Sequence, residues 1–166
     1  IVFAFKLTYP NAVHVNRGNH EALAMNHKYA FDEEVLQKYD KEVFEFFEKL
    51  FCAFPLASIF ADQVFVVHGG LPALENVSIS EIDKINRLSQ PPSGTPSDRS
   101  RQIFKQMLWN DPRANDSVEE SSRGSGIYYF PESYTNAFLT ENDLSLVIRS
   151  HELVDEGYAI THSFQL

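Results

Sequence analysis

Short apolar runs alternate along the chain with longer stretches in which apolar residues recur every three or four positions. The longer stretches have the spacing of amphipathic helices. They predict helices over residues 1–7, 21–28, 31–54, 78–88 and 131–142. The short apolar runs predict strands at residues 12–16, 57–60, 63–67 and 144–148. Helices mixed with short apolar strands favour an α/β (α+β) fold.

Two polar stretches interrupt this pattern. Residues 89–101 are rich in Ser, Pro and Gly, and residues 113–126 are mostly polar. Such stretches are typical of surface loops, and neither has the character of a linker between domains. We therefore expect residues 1–166 to belong to one domain.

Three of the four predicted strands lead into side chains that can bind metal ions. The first strand leads to Asn19 and His20, the third to His68 and the fourth to His151. Because open α/β sheets place ligand sites at the carboxyl ends of their strands, these side chains could meet at one site. Imidazole nitrogens and an amide oxygen suit a borderline divalent ion such as Mn, Fe or Zn. Asn19, His68 and His151 are therefore candidate metal ligands.

The same residues also allow a plainer interpretation. A histidine at a strand end is often a structural residue, and the three candidates lie too far apart in the chain to form a local metal-binding motif. The pattern of residues therefore leaves both interpretations open. The remaining histidines have no comparable context, and we expect them to be surface or core residues: His14, His27 and His162.

Two further residues are candidates for chemistry at such a site. His20 directly follows Asn19, and adjacent residues in a tight turn point in different directions, so one could bind a metal while the other faces a substrate. An imidazole titrates in the range that suits a general acid. Arg123 lies between Ser122 and Gly124, where its guanidinium could bind a phosphate group as a fork or remain a solvated loop side chain.

Composition excludes several classes of function. The chain has 23 acidic and 14 basic residues, a formal net charge of −9, so we expect no nucleic-acid partner, because such binding relies on Lys and Arg. Its single cysteine, Cys52, excludes an intrachain disulfide. The apolar runs are shorter than the ~20 residues of a membrane span, and no signal-peptide pattern is present. We expect an intracellular protein, cytoplasmic, nuclear or both, without a membrane partner.

Four short motifs follow one another along the chain. They are Arg17-Gly18-Asn19-His20-Glu21, His68-Gly69-Gly70-Leu71, Leu108-Trp109-Asn110-Asp111-Pro112 and Arg149-Ser150-His151-Glu152. Their order and separations resemble those of the phosphoprotein phosphatase (PPP) family, the serine/threonine-protein phosphatases of the metallophosphoesterases. The resemblance covers nearly the whole chain. The tryptophan motif together with the last motif is more specific to eukaryotic serine/threonine phosphatases than the first motif is.

Two further stretches resemble a subgroup of this family, whose members carry tetratricopeptide-repeat or EF-hand regulatory regions. One stretch combines residues 148–152 with Glu156-Gly157-Tyr158, and the other combines Ile85-Asn86-Arg87 with Pro91-Pro92. The resemblance therefore implies a regulatory domain or subunit as a partner, in addition to phosphoprotein substrates.

The resemblance also implies a fold and a set of roles. The fold is a calcineurin-like metallophosphoesterase, with a central β-sandwich flanked by helices. Asn19, His68 and His151 would bind one ion of a two-metal centre, manganese foremost and iron or zinc otherwise. His20 would protonate the leaving serine or threonine oxygen, and Arg123 would bind phosphate oxygens. Two residues would shape the pocket without reacting: Trp109 and Asp111.

Some features of the family are missing from this chain. The Gly-Asp-x-His-Gly and Gly-Asp-x-Val-Asp-Arg-Gly motifs, expected before Ile1, supply the other metal's ligands and the bridging aspartate. The Ser-Ala-Pro-Asn-Tyr stretch expected after Leu166 is also missing. We therefore expect residues 1–166 to be a partial catalytic domain that holds at most part of one metal site and is inactive alone. The full-length protein would hydrolyse phosphoserine and phosphothreonine with a hydroxide activated by two metal ions.

Two alternatives to this function remain open. The first is a non-catalytic fragment or pseudophosphatase that acts by binding partners, which the missing motifs favour. The presence of His20 and Arg123 argues against it for the full-length protein. The second alternative is a metallophosphoesterase that acts on nucleotides or small phosphate esters.

Overall fold

The computed structural model describes all of residues 1–166. Its seven α-helices are α1 (Val2–Thr8), α2 (Leu23–Lys28), α3 (Phe31–Lys38), α4 (Lys41–Ala53), α5 (Ile79–Asp83), α6 (Arg99–Trp109) and α7 (Glu132–Glu141). Its six strands are β1 (Ala57–Phe60), β2 (Val64–Val67), β3 (Asp111–Pro112), β4 (Glu119–Glu120), β5 (Tyr128–Phe130) and β6 (Leu146–Ile148). A 3₁₀ helix at His162–Phe164 follows. None of the helices has the length and apolar character needed to span a membrane.

The strands form two sheets of three strands each. In the first sheet, of order β1-β2-β6, β2 pairs antiparallel with β1 and parallel with β6. The β1–β2 hairpin turns at Ala61 and Asp62, as predicted, and both residues have left-handed backbone conformations with φ of 51° and 57°. In the second sheet, of order β3-β5-β4, β5 pairs parallel with β3 and antiparallel with β4. The predicted mixed α/β architecture is confirmed.

One hydrophobic core joins the two sheets, and helix α6 supplies its centre. Ile103, Met107 and Leu108 of this helix are fully buried. They belong to the same apolar cluster as Phe65 of β2 and Phe130 of β5, which come from different sheets. Because close-packed interiors resist displacement, this core holds the loops that leave the two sheets in a fixed relative position.

Helix α6 is not among the predicted helices, although Ile103, Phe104, Met107 and Leu108 have helical spacing. Its buried face also carries polar side chains, which the apolar spacing does not indicate. Lys105 is buried and its Nζ donates to the carbonyls of Gly94 and Ser125. Gln106 is also buried, and its Oε1 accepts from the N–H of Ala73 at 2.8 Å. These side chains interrupt the hydrophobic pattern, and each of them anchors a loop.

The strand predicted at residues 12–16 is wrong, since this segment has no ladder of backbone hydrogen bonds. Instead the Nδ2 of Asn16 donates to the Val66 carbonyl at 2.9 Å, and its Oδ1 accepts from the Ser58 hydroxyl at 2.6 Å. The side chain of Asn16, rather than the backbone of a strand, therefore connects this segment to β1 and β2.

Two predicted helices have different bounds in the structure. The helix predicted over 31–54 is two helices, because Asp40 starts α4 by accepting from the N–H of Val43 at 3.0 Å. The helix predicted over 78–88 ends at Asp83. Short polar side chains that cap a helix can also interrupt one, which the hydrophobic spacing alone does not reveal.

The turn after β2 requires glycine at two positions. A Cβ at Gly69 would lie 2.5 Å from the carbonyl carbon of Leu108 and 2.6 Å from the nitrogen of Trp109. A Cβ at Gly70 would lie 2.8 Å from the carbonyl oxygen of Asn110. The backbone of this turn therefore packs directly on the carboxyl end of α6.

Replacing Gly69 by alanine is expected to lower the free energy of unfolding by about 3 kcal/mol or more, because the new methyl group meets backbone atoms that cannot rotate away. Chemical denaturation of the two proteins measures the loss. Gly94→Ala is the matched control, since a Cβ there meets nothing within 4 Å and only the left-handed φ of 61° is unfavourable. That strain costs about 1–2 kcal/mol. An equal decrease in the free energy of unfolding in the two variants would contradict the close packing described for Gly69.

Candidate metal centre

Two neighbouring parallel strands bring His68 and His151 together. In the pairing of β2 with β6, Val66 lies opposite Ile148. His68 directly follows β2, and His151 lies three residues beyond Ile148. The N–H of Ser150 donates to the His68 carbonyl at 3.1 Å, which extends the pairing beyond the strands. The structure thus brings these two strand ends to one edge of the sheet, as their positions predict.

Asn19 comes from a loop, and the buried side chain of Arg17 holds this loop in place. Nε of Arg17 donates to the Glu21 carbonyl at 2.9 Å. Its Nη1 donates to the carbonyls of Arg87 and Ser89, each at 2.9 Å. The Asn19 loop is therefore tied to the segment that follows α5. Sequence reasoning assigns Arg17 no role, because an arginine is usually exposed and its carbonyl partners leave no trace in the sequence.

Donor atoms of Asn19 and His151 both lie close to one ring nitrogen of His68. Nε2 of His68 lies 2.8 Å from Oδ1 of Asn19 and 3.1 Å from Nδ1 of His151. Two donors that bind one ion at about 2.0–2.2 Å are themselves about 3 Å apart, so the observed spacings fit a shared divalent ion. The other ring nitrogen of His151, Nε2, is buried without a hydrogen-bond partner. The residues present therefore fit a borderline divalent ion through two imidazoles and one amide oxygen.

Both imidazoles are in the protonation state that binds metal ions. Burial, reinforced by the nearby guanidinium groups of Arg149 and Arg123, lowers the pKa of His68 and the pKa of His151 to about 4. At neutral pH the two rings are therefore uncharged, and each keeps one nitrogen with a free lone pair.

The site depends on the amide of Asn19 as much as on the imidazoles. The structure contains no cluster of three or more His, Cys, Asp or Glu side chains that could hold an ion. A search for such clusters alone therefore overlooks this arrangement. Three protein donors leave the coordination shell of a divalent ion incomplete, so further ligands would be water, substrate or other protein groups.

His20 lies at the surface beside the ligand loop. Its imidazole is exposed and stacks on the ring of Tyr29, with the ring centroids 4.7 Å apart. Nδ2 of Asn26 donates to the His20 carbonyl at 2.6 Å and so holds the backbone next to Asn19. An exposed imidazole adjacent to a candidate ligand can exchange a proton with a molecule bound at the site.

A buried carboxylate orients two arginines next to the imidazoles. Asp111 is fully buried, and it accepts from Nε of Arg123 at 2.6 Å and from Nη2 of Arg149 at 2.7 Å. Burial alone would raise the pKa of Asp111, but the hydrogen bonds from the two guanidinium groups outweigh it and hold this pKa below its usual value. Arg123 uses only Nε for this contact and its side chain is 32% exposed, so its terminal N–H groups can reach a ligand.

The tryptophan of the third motif packs against one of the candidate ligands. The Trp109 ring meets the His151 ring edge to face, with centroids 5.7 Å apart and planes at 88°. Glu152 extends the charged network, because it accepts from Arg149 at 2.7 Å and from Arg113 at 3.0 Å. Arg113 and Glu152 are far apart in sequence, so no local pattern predicts their contact, whereas Arg149 and Glu152 lie three residues apart in the last motif.

The other histidines make structural contacts outside this site. Nδ1 of the buried His162 lies 2.8 Å from Oγ1 of Thr135. His27 pairs with Asp32 at 2.6 Å on the surface. His14 is exposed. Their placement agrees with the surface or core positions expected from the sequence.

The sequence of this chain is similar to those of known phosphatases. A model of the calcineurin-like phosphoesterases matches residues 1–155. The chain is 42% identical over 165 residues to serine/threonine-protein phosphatase 5 of Solanum lycopersicum, covering 99% of this chain and 28% of that protein. It is 40% identical over 161 residues to serine/threonine-protein phosphatase 5 of Homo sapiens, covering 97% of this chain and 31% of that protein. The chain therefore spans roughly a third of the length of these relatives.

A solved structure shares the arrangement of helices and strands. It is a protein serine/threonine phosphatase from Saccharomyces cerevisiae with similarity to human phosphatase PP5. The two superpose with a TM-score of 0.89 at 33% sequence identity, over 99% of this chain and 49% of that chain.

Replacing Asp111 by asparagine is expected to lower the free energy of unfolding by about 3–5 kcal/mol at neutral pH, because two guanidinium groups lose their buried anion. The unfolded chain binds a proton at Asp111 near its usual pKa of about 3.9, and the folded chain does so at a lower pH. The stabilisation is therefore fully present above about pH 3.9 and is lost as the pH falls through the lowered pKa. Denaturation curves at neutral pH and at a series of acidic pH values measure both effects.

Glu152→Gln is the matched control for this experiment. Its carboxylate also joins two arginines, but its side chain is 29% exposed, so we expect a loss of about 1 kcal/mol. We expect the difference in free energy of unfolding between the wild type and Asp111→Asn to become smaller in acid. A difference that stays constant would contradict the lowered pKa of Asp111.

Proposed function

We propose that this chain, which belongs to the calcineurin-like phosphoesterase family, supplies part of the active site of a metal-dependent phosphatase that acts on phosphoserine and phosphothreonine in proteins. The family and the fold predicted from the four motifs are confirmed. The activity is supported by relatives that are named serine/threonine-protein phosphatases. Within the molecule, one observation carries the proposal: Oδ1 of Asn19 and Nδ1 of His151 both lie within 3.1 Å of Nε2 of His68.

In this proposal Asn19, His68 and His151 hold one divalent ion of a two-metal centre. We take the ion to be manganese, although iron or zinc suits the same donors. When bound, such ions would supply Lewis acidity towards the phosphate ester and towards water. The ligands of the second ion would come from other parts of the full-length protein. We therefore expect residues 1–166 alone to show little or no turnover.

Arg123 binds the oxygens of the substrate phosphate. The hydrogen bond from its Nε to Asp111 holds the guanidinium in one orientation and leaves its terminal N–H groups available. Two parallel N–H groups match two oxygens of a phosphate, which a single ammonium cannot do. Arg149 has a structural role instead, because its nitrogens are already bonded to Gly69, Glu152 and the same aspartate.

His20 donates a proton to the leaving serine or threonine oxygen. It is adjacent to a candidate ligand, and its ring is exposed where a substrate side chain can approach. Proton donation matters at this step because negative charge develops on the leaving oxygen as its bond to phosphorus breaks.

The openness of the site favours a protein substrate over a small molecule. His20 is exposed and Arg123 is partly exposed, whereas sites for small ligands usually enclose most of the ligand surface. We therefore prefer phosphoproteins to nucleotides as substrates.

A regulatory domain or subunit is a further proposed partner. We also propose an intracellular location, which the free thiol of Cys52 supports.

A second candidate is a phosphatase-like protein that binds phosphorylated partners without hydrolysing them. One observation favours it: the ring of His20 stacks on the ring of Tyr29 and has no carboxylate partner within this chain to orient it as a proton donor. Such a protein would bind a phosphoserine peptide and release it unchanged.

Replacing His20 by asparagine in the full-length protein is expected to lower kcat for a phosphoserine peptide by about 10²–10⁴-fold, because the leaving oxygen would depart without a positioned proton donor. Steady-state phosphate release with saturating Mn²⁺ measures this change. KM should change little, since His20 is assigned no role in binding the phosphate.

His14→Asn serves as the control, because His14 is also exposed but touches no candidate ligand. It should leave kcat at the wild-type value. Unchanged turnover in the His20 variant would eliminate the role assigned to this histidine. A wild-type protein that binds the peptide but releases no phosphate would favour the non-catalytic candidate, and faster hydrolysis of a dinucleotide would favour the small-ester alternative.

A further inference from the structure

Asn110 lies at the carboxyl end of α6, where its side chain is fully buried and fully hydrogen-bonded. Its Nδ2 donates to the Leu71 carbonyl at 2.9 Å and to Oε1 of Gln106 at 3.3 Å. Its Oδ1 accepts from the N–H of Tyr128 at 2.8 Å. A carboxamide has two N–H donors in one direction and an acceptor oxygen in the other, and this site uses both sides.

The two backbone partners of this side chain belong to the loops that carry site residues. Leu71 lies three residues after His68 in the turn that follows β2. Tyr128 lies five residues after Arg123 and begins β5. The amide of Asn110 therefore forms a direct bridge between the loop of a candidate metal ligand and the loop of the candidate phosphate ligand.

The backbone at this position makes a third connection. The carbonyl of Asn110 accepts from Nη2 of Arg149 at 3.3 Å, and Arg149 lies two residues before His151. The neighbours of Asn110 in the chain also touch the site, since Trp109 packs on His151 and Asp111 binds two arginines. All segments of the site except the Asn19 loop thus meet at one tripeptide.

We propose that Asn110 is a positioning residue whose carboxamide sets the distance between the His68 loop and the Arg123 loop, and so between the metal ion and the substrate phosphate. The effect on catalysis rests on the proposed function. The hydrogen bonds that form the bridge do not depend on it. No other side chain of this length supplies two donors and an acceptor, because aspartate lacks the donors and serine has a single one.

Loss of the amide would leave polar backbone groups without partners and free the two loops from each other. A buried carbonyl or N–H without a hydrogen-bond partner is unfavourable, so either loop would tend to shift towards water. Metal affinity and phosphoryl transfer are sensitive to such shifts, since a displacement of about 1 Å can reduce a rate about 10²-fold.

The chain contains a matched control for this bridge. Asn142, at the end of α7, donates from Nδ2 to the carbonyls of Val77 and Phe138 at 3.0 and 2.8 Å. Its Oδ1 accepts from the N–H of Ile79 at 2.7 Å. The two asparagines therefore have the same pattern of three amide hydrogen bonds, but Asn142 bridges α7 to the start of α5 and touches no loop that carries a site residue.

The experiment compares Asn110→Ala with Asn142→Ala in the full-length protein. Calorimetric titration of the metal-free proteins with Mn²⁺ measures affinity, and visible absorption of the Co²⁺-loaded proteins reports the geometry around the ion. We expect Asn110→Ala to weaken Mn²⁺ binding about tenfold or more, to shift the Co²⁺ absorption bands, and to lower kcat for a phosphoserine peptide at saturating Mn²⁺. Asn142→Ala should also lose stability, though less because Asn142 is only partly buried, while its Mn²⁺ affinity and Co²⁺ spectrum remain those of the wild type.

Wild-type Mn²⁺ affinity and a wild-type Co²⁺ spectrum in Asn110→Ala would overturn the inference, as would equal effects in the two asparagine variants. If Asn110→Ala does not fold, Asn110→Ser decides the question, because its hydroxyl can replace only part of the bridge. Its Mn²⁺ affinity should fall below that of the wild type, and an unchanged affinity with an unchanged spectrum would again overturn the inference. Failure of the proposed function is distinct: the wild type would then bind Mn²⁺ but release no phosphate, and the metal measurements would still decide the role of Asn110.

Discussion

The parallel pairing of β2 with β6 is the contact on which the candidate site depends. It places His68 and His151, which are far apart in the chain, at the same edge of one sheet. A slip of one residue in this register would turn the side chains of one strand to the opposite face. The register is held by burial, because Phe65 and Val147 lie opposite each other in the core. Hydrophobic packing below the sheet therefore fixes the distance between two polar side chains at its edge.

Helix α6 fixes the loops around these two histidines. Its carboxyl end packs against the glycine turn after β2, so closely that no Cβ fits at Gly69. The residues that follow the helix carry polar groups into the interior, where each finds partners: Asn110 bridges two loops, and Asp111 binds two arginines. Buried polar groups destabilise a fold unless they are satisfied. Here their satisfaction requires the loops to take one relative position.

The parts of the fold that follow local patterns could be predicted from the sequence. The hairpin at residues 57–67 and the helix at 131–142 depend on apolar spacing and turn residues, and both are present. The candidate ligands were identifiable because each lies in a recognisable motif, and His68 and His151 also follow predicted strands. Helix α6 was not predicted, although Ile103, Met107 and Leu108 have helical spacing. The burial of its Lys105 and Gln106 could not be predicted, since their carbonyl or amide partners come from distant loops.

The same limit explains which site residues sequence reasoning missed. The role of Arg17 depends on carbonyl groups of Arg87 and Ser89, and any residue type offers a carbonyl group. The bridge made by Asn110 likewise ends on backbone atoms of Leu71 and Tyr128. A side chain that bonds to backbone groups therefore cannot be paired with its partner from the sequence. A candidate metal ligand can be identified more easily, because its residue type is characteristic of metal binding.

We propose that one divalent ion binds between Asn19, His68 and His151, whose donor atoms lie close to Nε2 of His68. Anomalous X-ray scattering at the manganese edge, from crystals of the full-length protein grown with Mn²⁺, tests it most directly. The account predicts an ion at about 2.0–2.3 Å from Oδ1 of Asn19, Nε2 of His68 and Nδ1 of His151. An ion bound through Nε2 of His151, or an ordered Mn²⁺ only at positions that none of these three side chains touches, would contradict it.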